Sequence, residues 1–323
     1  MQGRLFTLDL PFFGSAIPAP SYFVLLLTGF IFATLMGAIW AKRIGQDPDV
    51  IVDLGLAMLL AGIAGGRLLH VFADGYFWDY VHLCTDPSKV DWHLDRAQCL
   101  SPDYGGVWDA ARSVCKPQGR DCFAWARFYA GGLAYYGGFL GASLAAWYLL
   151  RADRFPFWKA ADMAGMVVPL GLGFGRIGCL LAGCCFGSPT SSSLGLVFPP
   201  NSPASESEFK AGLLHSMHES SLSIHPTQIY ESGASFAISA LLILYLHGRK
   251  RYDGQVFLAF TALYAAVRFG LEFLRNDDRG ELLGLSTSQL IGVLLVGAAL
   301  FAHRLLSRRV GRLAQVPAKL NPV

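Results

Sequence analysis

Charge is what this chain lacks. Only 15% of its 323 residues are Asp, Glu, Lys or Arg, against roughly a quarter in ordinary soluble domains. Cations exceed anions by just three and lie scattered through short connections, which excludes the basic face needed to bind nucleic acid. No CxxC pair is present and no neighbouring pair of histidines adjoins the cysteines, so the usual zinc spacing is missing there and no metal is expected. Also missing is the short, basic-led apolar stretch of a cleaved leader. The first apolar run, Tyr22 to about Trp40, is too long for one and follows a single arginine, Arg4, so it is read as a span that stays.

What the chain has instead is apolar residues, 53% of the total, with 36 glycines and a mean hydropathy of +0.42. That composition fits a polytopic α-helical membrane protein, where glycine is common. Runs able to span a bilayer, about 20 residues each, lie at about 22–40, 51–71, 131–150, 160–181, 228–246, 255–274 and 283–305. Seven transmembrane helices are therefore expected. Lys and Arg collect in every alternate connection: Lys42 and Arg43; Arg151, Arg154 and Lys159; Arg249, Lys250 and Arg251; and the tail from Arg304 to Lys319. The positive-inside rule makes these cytoplasmic. The N-terminus, residues 72–129, 182–227 and 275–282 then face outward. The expected architecture is all-α, one integral membrane domain over 1–323, carrying a cysteine-bearing loop at 72–129 and a small cap at 182–227 as insertions. The cap is rich in Ser and Pro, shows no strong helix period, and contains a short apolar piece, Leu194–Phe198, suited to a strand.

Seven cysteines fall in two groups. Cys84, Cys99, Cys115 and Cys122 share the 72–129 loop, an even number suited to two disulfides in an oxidising compartment, with three possible pairings. Cys179, Cys184 and Cys185 lie in GFGRIGCLLAGCCFG, residues 173–187. Zinc or a redox pair is poorly supported there, because adjacent cysteines bridge badly, and small buried thiols are the plain reading. The GFGRIG within this stretch formally fits a dinucleotide fingerprint, but that motif needs a preceding strand, and here an apolar helix precedes it.

The same stretch holds Arg176, an ionisable residue at the end of an apolar run and hence a functional-site hypothesis. Arg67, in the second run, either snorkels to an interface or lines a polar cavity. Further polar residues gather in HPTQIYES, with His225, Gln228, Tyr230 and Glu231, and in LYAAVRFGLEFLRND, with Tyr264, Arg268, Glu272 and Arg275. Arg268, Glu272 and Arg275 are spaced i, i+4, i+7 and share a helix face. One reading is a structural ion pair through Glu272. The other is convergence of arginines on a phosphate, whose oxygens match guanidinium forks.

Together these stretches resemble the prolipoprotein diacylglyceryl transferase family of bacterial inner membranes, from about Tyr22 to Leu305. The family's glycine–arginine signature is matched by Gly175, Arg176, Gly178, Gly183 and Gly187, and its HP-S-Q-L-Y-E stretch by His225, Pro226, Gln228, Tyr230 and Glu231. Tyr264, Arg268 and Glu272 match its sixth span; Tyr22, Ser286 and Gln289 match further positions. The resemblance implies transfer of the diacylglyceryl group of phosphatidylglycerol to the lipobox cysteine of prolipoprotein signal peptides, without a cofactor, at the periplasmic side of the inner membrane. It implies catalytic roles for Arg176, Arg268, Tyr136, Tyr22 and Glu272. Substrate binding falls to Arg176, Gly178, Gly187, His225, Gln228, Tyr264 and Arg275. The chain departs from the family where a histidine often precedes the third span, here Tyr136, and where Cys179 and Cys184 replace an asparagine and a glutamate. These departures motivate two competing readings, a lipid- or lipoprotein-binding paralogue with altered catalysis and a thiol oxidoreductase.

Overall fold

The computed structural model describes residues 4–8, 17–92, 94, 96–100, 105–126, 133–275, 281–282 and 284–314. A hairpin of β1 (Arg4–Leu8) and β2 (Ile17–Pro20) leads into α1 (Ser21–Arg43) and α2 (Pro48–Ala73). The loop that follows holds α3 (Phe77–Thr85), the single turn α4 (Arg96–Cys99) and a hairpin of β3 (Val107–Asp109) with β4 (Val114–Lys116). Helices α5 (Tyr135–Ala152) and α6 (Phe157–Ala182) come next. After them lie α7 (Pro203–Lys210), α8 (Thr227–Leu241), α9 (Gln255–Glu272), the short pair β5 (Glu281–Leu282) and β6 (Leu285–Ser286), and α10 (Thr287–Ala314).

Among the described residues, each of the seven apolar runs lies mainly in a helix. Five of the described helices are long and apolar enough to cross a membrane: α1, α2, α6, α8 extended by its following turns to Arg249, and α10 to Arg308. The two left out, α5 and α9, have 18 residues each. Tyrosines and Arg151 dilute α5, as Gln255, Arg268 and Glu272 dilute α9. The apolar side chains Leu26, Ile31, Phe32, Leu35 and Ile39 of α1 are exposed, the kind of contiguous surface that belongs against lipid or a partner.

The described residues divide into two compact units, one running to Ile51 and resuming at Phe155, the other Val52–Arg154. In the first unit α6 is the common neighbour, packed against α1, α8 and α9, with α10 on α9. Met166, Ile238, Leu242 and Val256 form its buried core. At the start of α9 the orphan N–H groups of Val256 and Phe257 donate to Asp162 Oδ1 at 2.9 and 3.2 Å. Asp162 is wholly buried in α6 and also accepts Lys250 Nζ at 2.8 Å. One helix thereby caps another, as a terminus with unpaired donors requires.

The 182–227 segment packs on its own small core of Phe198, Ala204 and Ile224. Leu194–Phe198 does not form the strand its composition suggested; Leu196 makes an isolated bridge to Ile224. The segment also holds a helix its composition did not suggest, α7, started by Ser202 and Ser205 capping each other's backbone N–H, with Pro203 at the first position.

In the second unit the cysteines pair as Cys84–Cys122 and Cys99–Cys115, one of the three arrangements left open. Arg67 is buried rather than snorkelled. Its guanidinium donates to the carbonyls of Trp125 and Ala124 and to Tyr80 Oη, fixing the turn that carries Cys122. It also lines a cavity of about 780 Å³, but the walls of that cavity are mainly apolar, including Leu60, Leu68, Phe72 and Phe77.

Candidate functional site

Helix α6 presents Arg176 six residues before its end. The Arg176 Nη2 lies 3.0 Å from Glu231 Oε1 on α8, with the arginine side chain 22% exposed and the glutamate 2%. The same Glu231 oxygen accepts Tyr264 Oη from α9 at 2.8 Å. Three helices thus meet at one carboxylate, because a charge in an apolar interior must be paired and hydrogen-bonded. One turn beyond Tyr264, Arg268 Nη1 lies 2.6 Å from Glu272 Oε2, the ion pair foreseen on that helix face. Arg268 Nη2 is buried without a hydrogen-bond partner among the described residues.

Arg176 also forms part of the wall of a cavity of about 260 Å³ between α6 and α8. Gln228 and Ser232 lend it polar groups, and Ile177, Leu180, Ile229 and Phe236 make it otherwise apolar.

The chain leaves α6 through Gly183, whose φ of +74° gives the left-handed end that helices commonly use. The next turn is held from α8 and from beyond α9. Gln228, buried, donates to the Cys184 carbonyl at 2.8 Å, Thr227 to that of Cys185 at 2.9 Å, and Arg275 Nη1 also to that of Cys185 at 3.4 Å. Gly187 N–H donates to the His225 carbonyl at 2.9 Å, and the His225 ring lies 3.5 Å from Tyr230 Oη. Hydrogen bonds from the thiols of Cys179 and Cys184, then the nearby Arg176 and Arg275, hold the Cys185 thiol below its ordinary value.

Tyr22 starts α1 at 42% exposure. Its backbone packs on Gly178, where a Cβ would come within 3.0 Å of the Tyr22 Cα. Ser286 and Gln289 cap the start of α10 reciprocally, Gln289 Oε1 accepting Ser286 N–H at 3.0 Å and Ser286 Oγ accepting Gln289 N–H at 3.2 Å. Tyr136 belongs to the second unit, exposed on α5, its ring edge-on to Tyr135.

The residue missing from the expected site is Glu231, which reaches both Arg176 and Tyr264. It stood inside the HPTQIYES motif, and a carboxylate one turn into an apolar helix was itself a signal that a cation lies opposite.

A family model described as prolipoprotein diacylglyceryl transferase matches residues 117–304. The chain is 30% identical over 284 residues, 87% of its length and 88% of the relative's, to phosphatidylglycerol–prolipoprotein diacylglyceryl transferase 2 of Clostridium perfringens (strain 13 / Type A). It is 27% identical to the like-named transferase of Clostridium tetani (strain Massachusetts / E88), over 88% of this chain and 92% of that one. Against that of Chromohalobacter salexigens it is 27% identical, over 80% and 75%. With its apolar helices and the arginine signature on α6, this integral membrane protein belongs to the prolipoprotein diacylglyceryl transferase family.

Proposed function

We propose that this chain transfers the diacylglyceryl group of phosphatidylglycerol to the thiol of the lipobox cysteine in prolipoprotein signal peptides. The observation that carries the reading is Arg176, with Gln228 and Ser232, in the wall of a mainly apolar cavity, which complements the chemistry of a lipid: hydrocarbon with an anion at one end. In the reaction the lipobox sulfur bonds to the glyceryl carbon as the bond from that carbon to the phosphate oxygen breaks. The electron pair leaves on glycerol phosphate, the thiol proton passes to a base, and the product is a thioether. Arg176 and Arg268 hold the phosphate and offset charge developing on the leaving group. Glu231 and Tyr264 keep Arg176 in place, Glu272 does the same for Arg268, and Tyr22, Gly178, Gly187, His225, Gln228 and Arg275 shape the substrate path. Tyr136 stands where the family often has histidine, and its part in handling the incoming thiol is inferred from that resemblance alone.

In this reading the whole chain is one membrane domain of seven spans in the bacterial inner membrane, N-terminus out. The site, the 72–129 loop and the 182–227 cap face the periplasm, where the disulfides Cys84–Cys122 and Cys99–Cys115 persist.

The test is transfer of label from radiolabelled phosphatidylglycerol to a lipobox peptide by the purified protein. Labelled thioether peptide is expected, with Arg176→Ala slower by roughly 10²–10³-fold. Wild-type protein that binds the lipid yet transfers nothing overturns the proposal. Full activity in Tyr136→Phe removes that residue from the chemistry.

A further inference from the structure

We propose that Cys179, Cys184 and Cys185 form a three-thiolate site for a soft monovalent metal ion of the Cu(I) type. Their three sulfur atoms lie within 4.8 Å of one another, Cys179 buried and the others partly so. The chain brings them together by reversing at the end of α6. Gly183 takes the left-handed conformation, Cys184 N–H donates back to the Cys179 carbonyl at 3.1 Å, and Cys185 is itself left-handed at φ +63°. That conformation is uncommon for a residue with a Cβ and sterically disfavoured. It is held by the bonds already described, from buried Gln228 and Thr227 and from Arg275 to the two cysteine carbonyls. A turn so over-determined keeps its side chains preorganised, as a ligand set must be.

The donor set selects the ion. Thiolates suit Cu(I) and zinc, but zinc in a structural site takes four ligands in a tetrahedron. Among the described residues the cluster offers three sulfurs and no histidine or carboxylate. Three thiolates around a monovalent ion suffice without a fourth. Binding releases the remaining thiol protons to solvent and moves no electron. The resulting complex carries a charge of −2 and stands beside the guanidinium groups of Arg275 and of Arg176, the latter shared with Glu231, both electrostatic neighbours of Cys185.

The test uses full-length protein in detergent, reduced and handled without oxygen, titrated with Cu(I) against a chromophoric chelator. Expected are one ion per chain, a thiolate-to-copper band in the ultraviolet, and proton release. Each of Cys179→Ser, Cys184→Ser and Cys185→Ser should weaken binding by upwards of ~100-fold, the upper end of what losing even an outer-shell partner costs. Cys185→Ser lies outside the helix and serves if Cys179→Ser fails to fold. No uptake, uptake indifferent to Cys185→Ser, or displacement of Cu(I) by Zn²⁺ each overturns the site, whatever the outcome of the transfer assay.

Discussion

Arg176 and Glu231 meet across α6 and α8 with 3.0 Å between nitrogen and oxygen, and the carboxylate is almost wholly withdrawn from solvent. Breaking such a pair from one side leaves a buried charge, which costs about 3–5 kcal/mol. Arg176→Ala should therefore lose both thermal stability in detergent and lipid transfer. Adding Glu231→Gln removes the orphaned charge while an amide oxygen remains for Tyr264. The double variant should recover most of the melting temperature and none of the transfer. Recovery of transfer would mean that the arginine is only a structural partner.

Gly178 determines how near α1 approaches the end of α6, since a Cβ there would stand 3.0 Å from the Tyr22 Cα. Gly178→Val should cost roughly 1–3 kcal/mol by overpacking and push Tyr22 outward. A lowered melting temperature with reduced transfer is expected; Gly178→Ala, the smaller intrusion, should fall between.

Hydropathy alone made the helical runs legible, because each is predominantly apolar over about twenty residues and the bilayer imposes helix on such a stretch. Reading apolar runs did not separate α5 and α9 from the other spans, although tyrosine, arginine and glutamate dilute the apolar content of both. Arg176 was legible for the same reason in reverse, as a charge amid apolar residues. Its partner was not: Glu231 is distant in sequence, and periodicity carries no information on which helices are neighbours. The disulfide pairing was closed to the sequence because four cysteines admit three solutions. Helix α7 was hidden by Ser and Pro, read as loop formers although Ser202 and Pro203 are a helix start.

The Cys99–Cys115 bridge joins two wholly buried residues 16 positions apart. A loop of that size gains about 3 kcal/mol from closure. Cys99→Ser with Cys115→Ser should open the segment around β3 and β4 to protease at concentrations that leave wild type intact.

Acid should loosen the same segment. The hydrogen bond from Lys116, and after it the charge of Arg112, hold the Asp91 carboxyl below its ordinary 3.8. A depressed carboxylate contributes stability that is complete above its unfolded value and is lost as pH falls through the folded one. Protease resistance of the loop should therefore stay level down to about the ordinary carboxylate range and decline below it. Asp91→Asn should lower the plateau and flatten the decline; an unchanged profile would remove Asp91 from the linkage.

Asp162 pins α6 to the start of α9, and Arg176 lies fourteen residues further along, about 21 Å at 1.5 Å per residue. Between them Pro169, buried within the helix, lacks the N–H that would bond the Gly165 carbonyl, the usual origin of a bend. A rod fixed at one end and jointed midway cannot slide, but its far part can swing: Arg176 lies seven residues, about 10 Å, beyond Pro169, so a swing of about 10° there carries the guanidinium about 2 Å. Such a swing about Pro169 is the movement expected if Arg176 is to leave Glu231 for an arriving phosphate. Hydrogen exchange that changes with lipid only beyond Pro169 is the trace such a swing leaves; uniform change along α6 would rule it out.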